Sequence, residues 1–161
     1  MFSIREEKPE DIAGIRLVNE RAFKQPAEAN IIDKLRQNCD GLLSLVAIEG
    51  DDIIGHVLFS PAVINSDHGM VAGMGLAPMA VAPQHQRQGI GAALIKHGIA
   101  RLRECGCPFV IVLGHAKYYP RFGFKPACQY GLQSQWESMC LSSVRGTGGK
   151  VLNSKCSFFK S

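Results

Sequence analysis

The residues Gln86-Arg87-Gln88-Gly89-Ile90-Gly91-Ala92 place two glycines in a polar stretch between an apolar run and a segment of helical periodicity. A helix start leaves its first N–H groups without partners and carries the positive end of the helix dipole, so it attracts anions. A pyrophosphate can lie against such a turn only where no side chain intervenes, which is the physical use of Gly89 and Gly91. Other phosphate loops do not fit. The segment from Gly146 to Lys150 is followed by Val151 and no helical pattern, so it lacks the hydroxyl residue of a P-loop. A dinucleotide fingerprint needs a third glycine where Leu94 stands.

The surrounding elements must position that loop. Residues 2–6 read as a first strand, and Pro9 opens a helix with Ile12, Ile15, Leu17 and Val18 near helical spacing. A second helix is expected from Glu28 to Gln37, with Ile31, Ile32 and Leu35 on one side. Leu42–Ile48 and Ile53–Ser60 are apolar strands joined by Glu-Gly-Asp-Asp, so they should form an antiparallel hairpin. Asn65 to Gly69 reads as a loop and Leu76–Val81 as the next strand. After the glycine motif, Leu94, Ile95, Ile99 and Leu102 mark a helix from about Gly91 to Glu104. Phe109–Leu113 is apolar throughout, as a strand buried on both faces would be, and Met139–Val144 reads as a further strand.

With this setting the sequence resembles the GCN5-related N-acetyltransferase (GNAT) superfamily. The resemblance rests on Gln86 to Ala92 between a strand and a helix, and on Tyr119-Pro120-Arg121-Phe122-Gly123-Phe124 beyond the next strand. It is strongest over residues 76–127, where it is similar to a bacterial, YhbS-like subgroup of acetyltransferases. The fold implied is α/β (α+β): a mixed, mostly antiparallel sheet splayed at a bulged strand, with helices on both faces. The chain 1–161 is then a single domain, best supported over 2–127, with 128–161 as its C-terminal strand and tail.

The resemblance also assigns roles. Acetyl-CoA is the implied co-substrate, with no metal, and a small amine or other amino group is the implied acceptor. Backbone groups of Met79, Ala80 and Val81 would pair with the pantetheine arm as an added strand. Gln86, Arg87, Gln88, Gly89, Ile90, Gly91 and Ala92 would supply N–H groups to the pyrophosphate. Tyr119 stands at the general-acid position, where a phenol can protonate the departing thiolate. The base is less defined, because Leu76–Val81 holds no carboxylate. Glu28, His115 and a water chain are the alternatives. Two rival readings keep the fold. One is a non-catalytic acyl-CoA sensor, and the other is transfer of another acyl group or from an acyl-carrier protein.

Composition sets the outer bounds. The chain has 161 residues, 46% hydrophobic and 20% charged, and a net charge of +4. That charge is too small and too evenly spread for a nucleic-acid protein. The charged start, MFSIREEKPEDI, is unlike a secretory signal, and no apolar stretch is long enough to span a membrane. These features point to the cytoplasm, where the cysteines at 39, 105, 107, 128, 140 and 156 should be reduced. Cys105 and Cys107 lack the paired spacing of a zinc site. A homodimer is compatible with all of this.

Overall fold

The computed structural model describes residues 1–66, 69–114, 117–133, 139–143 and 154–157. The main elements follow in the order β1 (Ser3–Glu6), α1 (Ile12–Phe23), α2 (Ala27–Asn38), β2 (Leu43–Glu49), β3 (Asp52–Ser66), β4 (Gly69–Val81), α3 (Ile90–Glu104) and β5 (Phe109–Leu113). Short strands follow: β6 (Lys125–Pro126), β7 (Leu132–Gln133), β8 (Met139–Ser143) and β9 (Ser154–Ser157). Strand neighbours run in the order β1-β2-β3-β4-β5-β8-β6, and β9 pairs with β3 and β7. The sheet is mixed, as expected for this fold class. The chain falls into two compact units, Met1–Ser60 with Ala77–Gly98, and Pro61–Leu76 with Ile99–Ser161.

In the first unit β1, β2 and the first part of β3 pair antiparallel, and helices cover both faces. Ile15 of α1 and Ile32 of α2 pack on Val46 and Leu58, all buried. The opposite face meets α3. Gly55 opens the space filled by Ile90 and Leu94, and Gly98 accepts the ring of Phe59. A Cβ built on Gly98 would stand 2.3 Å from that ring, so the helix is seated by the absence of a side chain. One irregularity keeps the faces distinct. Register shifts between Ala47 and Ile48, so that they face Gly55 and Ile53. Ile53 therefore points to Gly14 of α1, whereas Gly55 points to α3.

The second unit has its own core of Ala62, Ile64, Phe109, Ile111, Ala127 and Leu132. Here β4 runs parallel to β5, Met74–Leu76 opposite Val110–Val112, and β5 pairs antiparallel with β8. The last β4 residues, Ala77–Val81, follow that parallel register.

Three sequence expectations are corrected here. The segment from Asn65 to Gly69 is not a five-residue loop, because β3 continues to Ser66 and β4 already begins at Gly69. The strand expected over Leu76–Val81 is only the end of β4. The strand expected over Ile53–Ser60 also runs on through Pro61, although proline donates no ladder bond. The alternation of buried Ala62 and Ile64, and the pairing of Val63 with Ser157, carry β3 past it.

Candidate active site

The glycine loop is built as a turn that feeds a helix. Ala82 donates its N–H to Ile54 O at 2.8 Å, which ties the end of β4 to β3. Pro83–His85 then makes one turn of 3₁₀-helix. Arg87 and Gly89 both lie in the left-handed region, with φ of 63° and 82°. A side chain is rarely tolerated there, and alternation of this kind turns successive N–H groups toward one concavity. The Gly89 carbonyl accepts from Ala93 N at 2.9 Å, making it the first acceptor of α3. The N–H groups of Ile90, Gly91 and Ala92 thus have no carbonyl within the helix to bond. Arg87, Gln88 and Gly89 are exposed, so the mouth of this concavity is open.

Gln86 behaves differently from the rest of the motif. Its N–H turns back to Pro83 O at 3.4 Å and its side-chain amide donates to Val81 O at 3.1 Å. It braces the loop against the end of β4. Within this structure the Gln86 N–H, expected from the sequence to serve the anion, points to the Pro83 carbonyl. Gln88 Nε2 donates to Gln84 O at 3.2 Å, a second brace. In β4, Ala80 is buried while Met79 and Val81 are half-buried.

Tyr119 opens a 3₁₀ turn, Tyr119–Phe122, that ends at Gly123 with φ 85°. Its ring is 8% exposed and sits edge-on to Tyr118 at 5.3 Å and to Phe124 at 5.6 Å. Gly114, at the end of β5, lies against the same ring. Tyr118 is placed otherwise: Arg121 stacks over its face at 4.6 Å, and burial pushes its phenol up, with Arg121 partly opposing. Gly114 was not singled out in the sequence, although a glycine directly after an apolar strand is a signal of close approach.

Glu28 lies in the first turn of α2, half-buried, and both its oxygens accept from Gln25 Nε2, at 3.0 and 3.1 Å. His115 lies outside the described residues. Among the described residues no cluster of three metal-binding side chains occurs.

A family model for the acetyltransferase (GNAT) domain matches residues 3–127. The uncharacterized N-acetyltransferase YjhQ of Escherichia coli K12 is 42% identical over 118 residues, which are 72% of this chain and 65% of YjhQ. The chain therefore spans somewhat less than two thirds of that relative. The uncharacterized N-acetyltransferase YhbS of the same strain is 36% identical over 136 residues, 83% of this chain and 79% of YhbS. The crystal structure of Escherichia coli YhbS in complex with CoA superposes with a TM-score of 0.84 at 31% identity, covering 96% of this chain and 88% of that one. A GNAT acetyltransferase from Brucella melitensis in complex with acetyl-CoA gives 0.82 at 33% identity, covering 99% and 96%. The glycine turn ahead of α3 and the matched span from β1 to Ala127 lead to one conclusion: this chain belongs to the GNAT family of acetyltransferases.

Proposed function

We propose that the protein is an acetyl-CoA-dependent N-acetyltransferase that acts by direct transfer on a small amine or an accessible amino group. The observation that carries this reading is the left-handed pair Arg87 and Gly89 leading into the free N-terminus of α3. A pyrophosphate would accept from the N–H groups of Arg87 to Ala92, helped by the helix dipole. The CoA and acetyl-CoA held by the two structural neighbours support the choice of ligand. The pantetheine amides would pair with the backbone of Met79, Ala80 and Val81 in the manner of an added strand.

The chemistry needs two proton transfers. The acceptor's amine nitrogen, once deprotonated, attacks the thioester carbonyl carbon and its electron pair forms the new C–N bond. The carbonyl π electrons move onto oxygen, then return as the C–S bond breaks. The thiolate takes the phenolic proton of Tyr119, and a base takes the proton from nitrogen. Glu28, His115 and a water chain stand as candidates for that base. The scheme assigns no step to a metal.

The same reading puts the reaction in the cytoplasm, without a nucleic-acid or membrane partner, and makes a homodimer the assembly to look for. No helix among the described residues is long and apolar enough to cross a membrane. Release of free thiol from acetyl-CoA, measured across amines, polyamines, amino acids and peptides, tests the reading. Turnover with any of these establishes the activity, and tight acetyl-CoA binding with none would favour a sensor.

A further inference from the structure

The interior of the first unit contains a line of hydrogen bonds whose direction is fixed from both ends. His56 of β3 is fully buried. Its Nε2 lies 2.9 Å from Ser44 Oγ of β2, and its Nδ1 lies 3.2 Å from Asn19 Nδ2 of α1. Ser44 Oγ also bonds Glu7 Oε2, which follows β1. Glu7 is gripped by Arg36 of α2, Nε to Oε1 at 3.0 Å and Nη2 to Oε2 at 2.8 Å.

At one end Glu7 is a carboxylate held between an arginine and a hydroxyl. Burial pushes its carboxyl up, but bonds from Arg36 and Ser44 outweigh this and hold it below the usual range. An ionised carboxylate only accepts, so the single Ser44 proton goes to Glu7 and the Ser44 oxygen must accept from His56 Nε2–H. At the other end Ile15 O only accepts, so Asn19 presents its amide nitrogen there, at 2.9 Å. The same nitrogen therefore donates its second proton to His56 Nδ1. Both ends of this line require the same tautomer, with hydrogen on Nε2 and a bare Nδ1.

A second proton has nowhere to go on this ring. On Nδ1 it would face the Asn19 N–H. Rotating the Asn19 amide would set its oxygen against Ile15 O, so the clash is moved and not removed. The charged groups acting on the ring are Glu7, which favours protonation, and Arg36 on α2, which opposes it. Burial dominates and pushes the ring down to about 3.

We propose that this chain is an acid-sensitive latch: His56 takes up a proton only after α1 has lifted its Asn19 away from β3. The uptake is a simple acid–base step, in which the Asn19 N–H···Nδ1 bond breaks and a solvent proton binds Nδ1. The lifted state has a ring near its ordinary value, so mild acid populates that state while α1 in place refuses the proton. The consequence extends beyond the latch. Gly14, Val18 and Arg21 of α1 line a cleft of about 710 Å³ together with Ile53, Ile54 and His85, and lifting α1 would widen it.

Side-chain ¹⁵N NMR on the intact protein tests the tautomer, with His56→Gln identifying the signal. The proposal expects an Nε2–H ring that does not titrate between about pH 7.5 and 5 in the native state. In the same window the opening equilibrium of α1, read by amide hydrogen exchange, should rise by up to about tenfold per pH unit relative to amides of β2. His56→Gln keeps a donor and an acceptor without a titrating ring, so this dependence should vanish. An Nδ1–H tautomer, a ring that titrates near 6.5 with α1 in place, or α1 protection that tracks β2 at every pH would overturn the proposal. Should His56→Gln not fold, the wild-type spectra and exchange data decide the question alone.

Discussion

Gly114 lies so close to Tyr119 that a Cβ built on the glycine would stand 2.2 Å from the tyrosine's Cε2. The ring is held by this contact on one side and by the edges of Tyr118 and Phe124 on others. Alanine at 114 must displace the phenol, and a proton donor moved by an ångström loses much of its effect. Gly114 does not have a positive φ, so alanine itself is not strained there. We expect Gly114→Ala to lower kcat by about tenfold or more, with KM for acetyl-CoA little changed. Tyr119→Phe should lower kcat by about 10²–10⁴ in the same way. Steady-state kinetics on both variants, with circular dichroism to confirm folding, would check the pair. Full activity in Tyr119→Phe would remove the phenol from the mechanism.

The loop was legible in the sequence because its physics is local. Two glycines, a preceding strand and a following helix suffice to read a tight turn into a helix, and Gly89 proves to need its positive φ. The hairpin of β2 and β3 was legible for the same reason. What could not be read were pairings set by distant partners. The extension of β3 through Pro61 rests on its sheet neighbours β4 and β9, and the role of Gly114 depends on the ring of a residue beyond β5. His56 lies in an apolar run, and its partners Ser44 and Asn19 are 12 and 37 residues away. No periodicity announces such a chain of bonds.

Gly89 separates backbone strain from ligand contact. Nothing lies within 4 Å of a Cβ built there, so alanine meets only the left-handed φ of 82°. Gly89→Ala should lose about 1–2 kcal/mol of stability and also weaken acetyl-CoA binding, because the turn then carries a side chain. Gly89→Asp and Gly91→Asp add a carboxylate where phosphate is expected and should abolish binding while the fold persists. Titration calorimetry on the folded variants gives the answer, and unchanged affinity in the Asp variants would remove the anion site.

Acid stability should depend on Asp11 as well as on the His56 chain. Asp11 accepts from Arg5 at 2.6 and 3.0 Å and from Lys8 N at 2.7 Å. The Arg5 bond, opposed by burial, holds its carboxyl below the usual range. A depressed carboxylate contributes stability that is present above its unfolded value and lost as pH falls through the folded one. Asp11→Asn removes that contribution and leaves Arg5 without its carboxylate partner. Its Tm at pH 7 should fall by about 2–6 °C, and the gap from wild type should close as pH drops below about 4. Thermal melts across pH would show it, and a gap that stays constant would place the loss elsewhere.

The acceptor's proton is the step for which kinetics are most informative. An ammonium must lose its proton before nitrogen can attack, so the rate should have an acidic limb governed by the base and by the amine itself. Glu28 has both carboxylate oxygens facing the Gln25 amide, which orients it at the start of α2. If Glu28 is the base, Glu28→Gln should lower kcat and flatten the part of the acidic limb that the amine does not supply. Gln25→Ala should then produce a milder loss of the same kind, because the carboxylate is kept and only its orientation is released. His115→Ala should act on a different quantity and chiefly raise KM for acetyl-CoA. The pH–rate profiles of the three variants, taken with one acceptor, separate these roles. A Glu28→Gln profile that overlays wild type would pass the base function to His115 or to water.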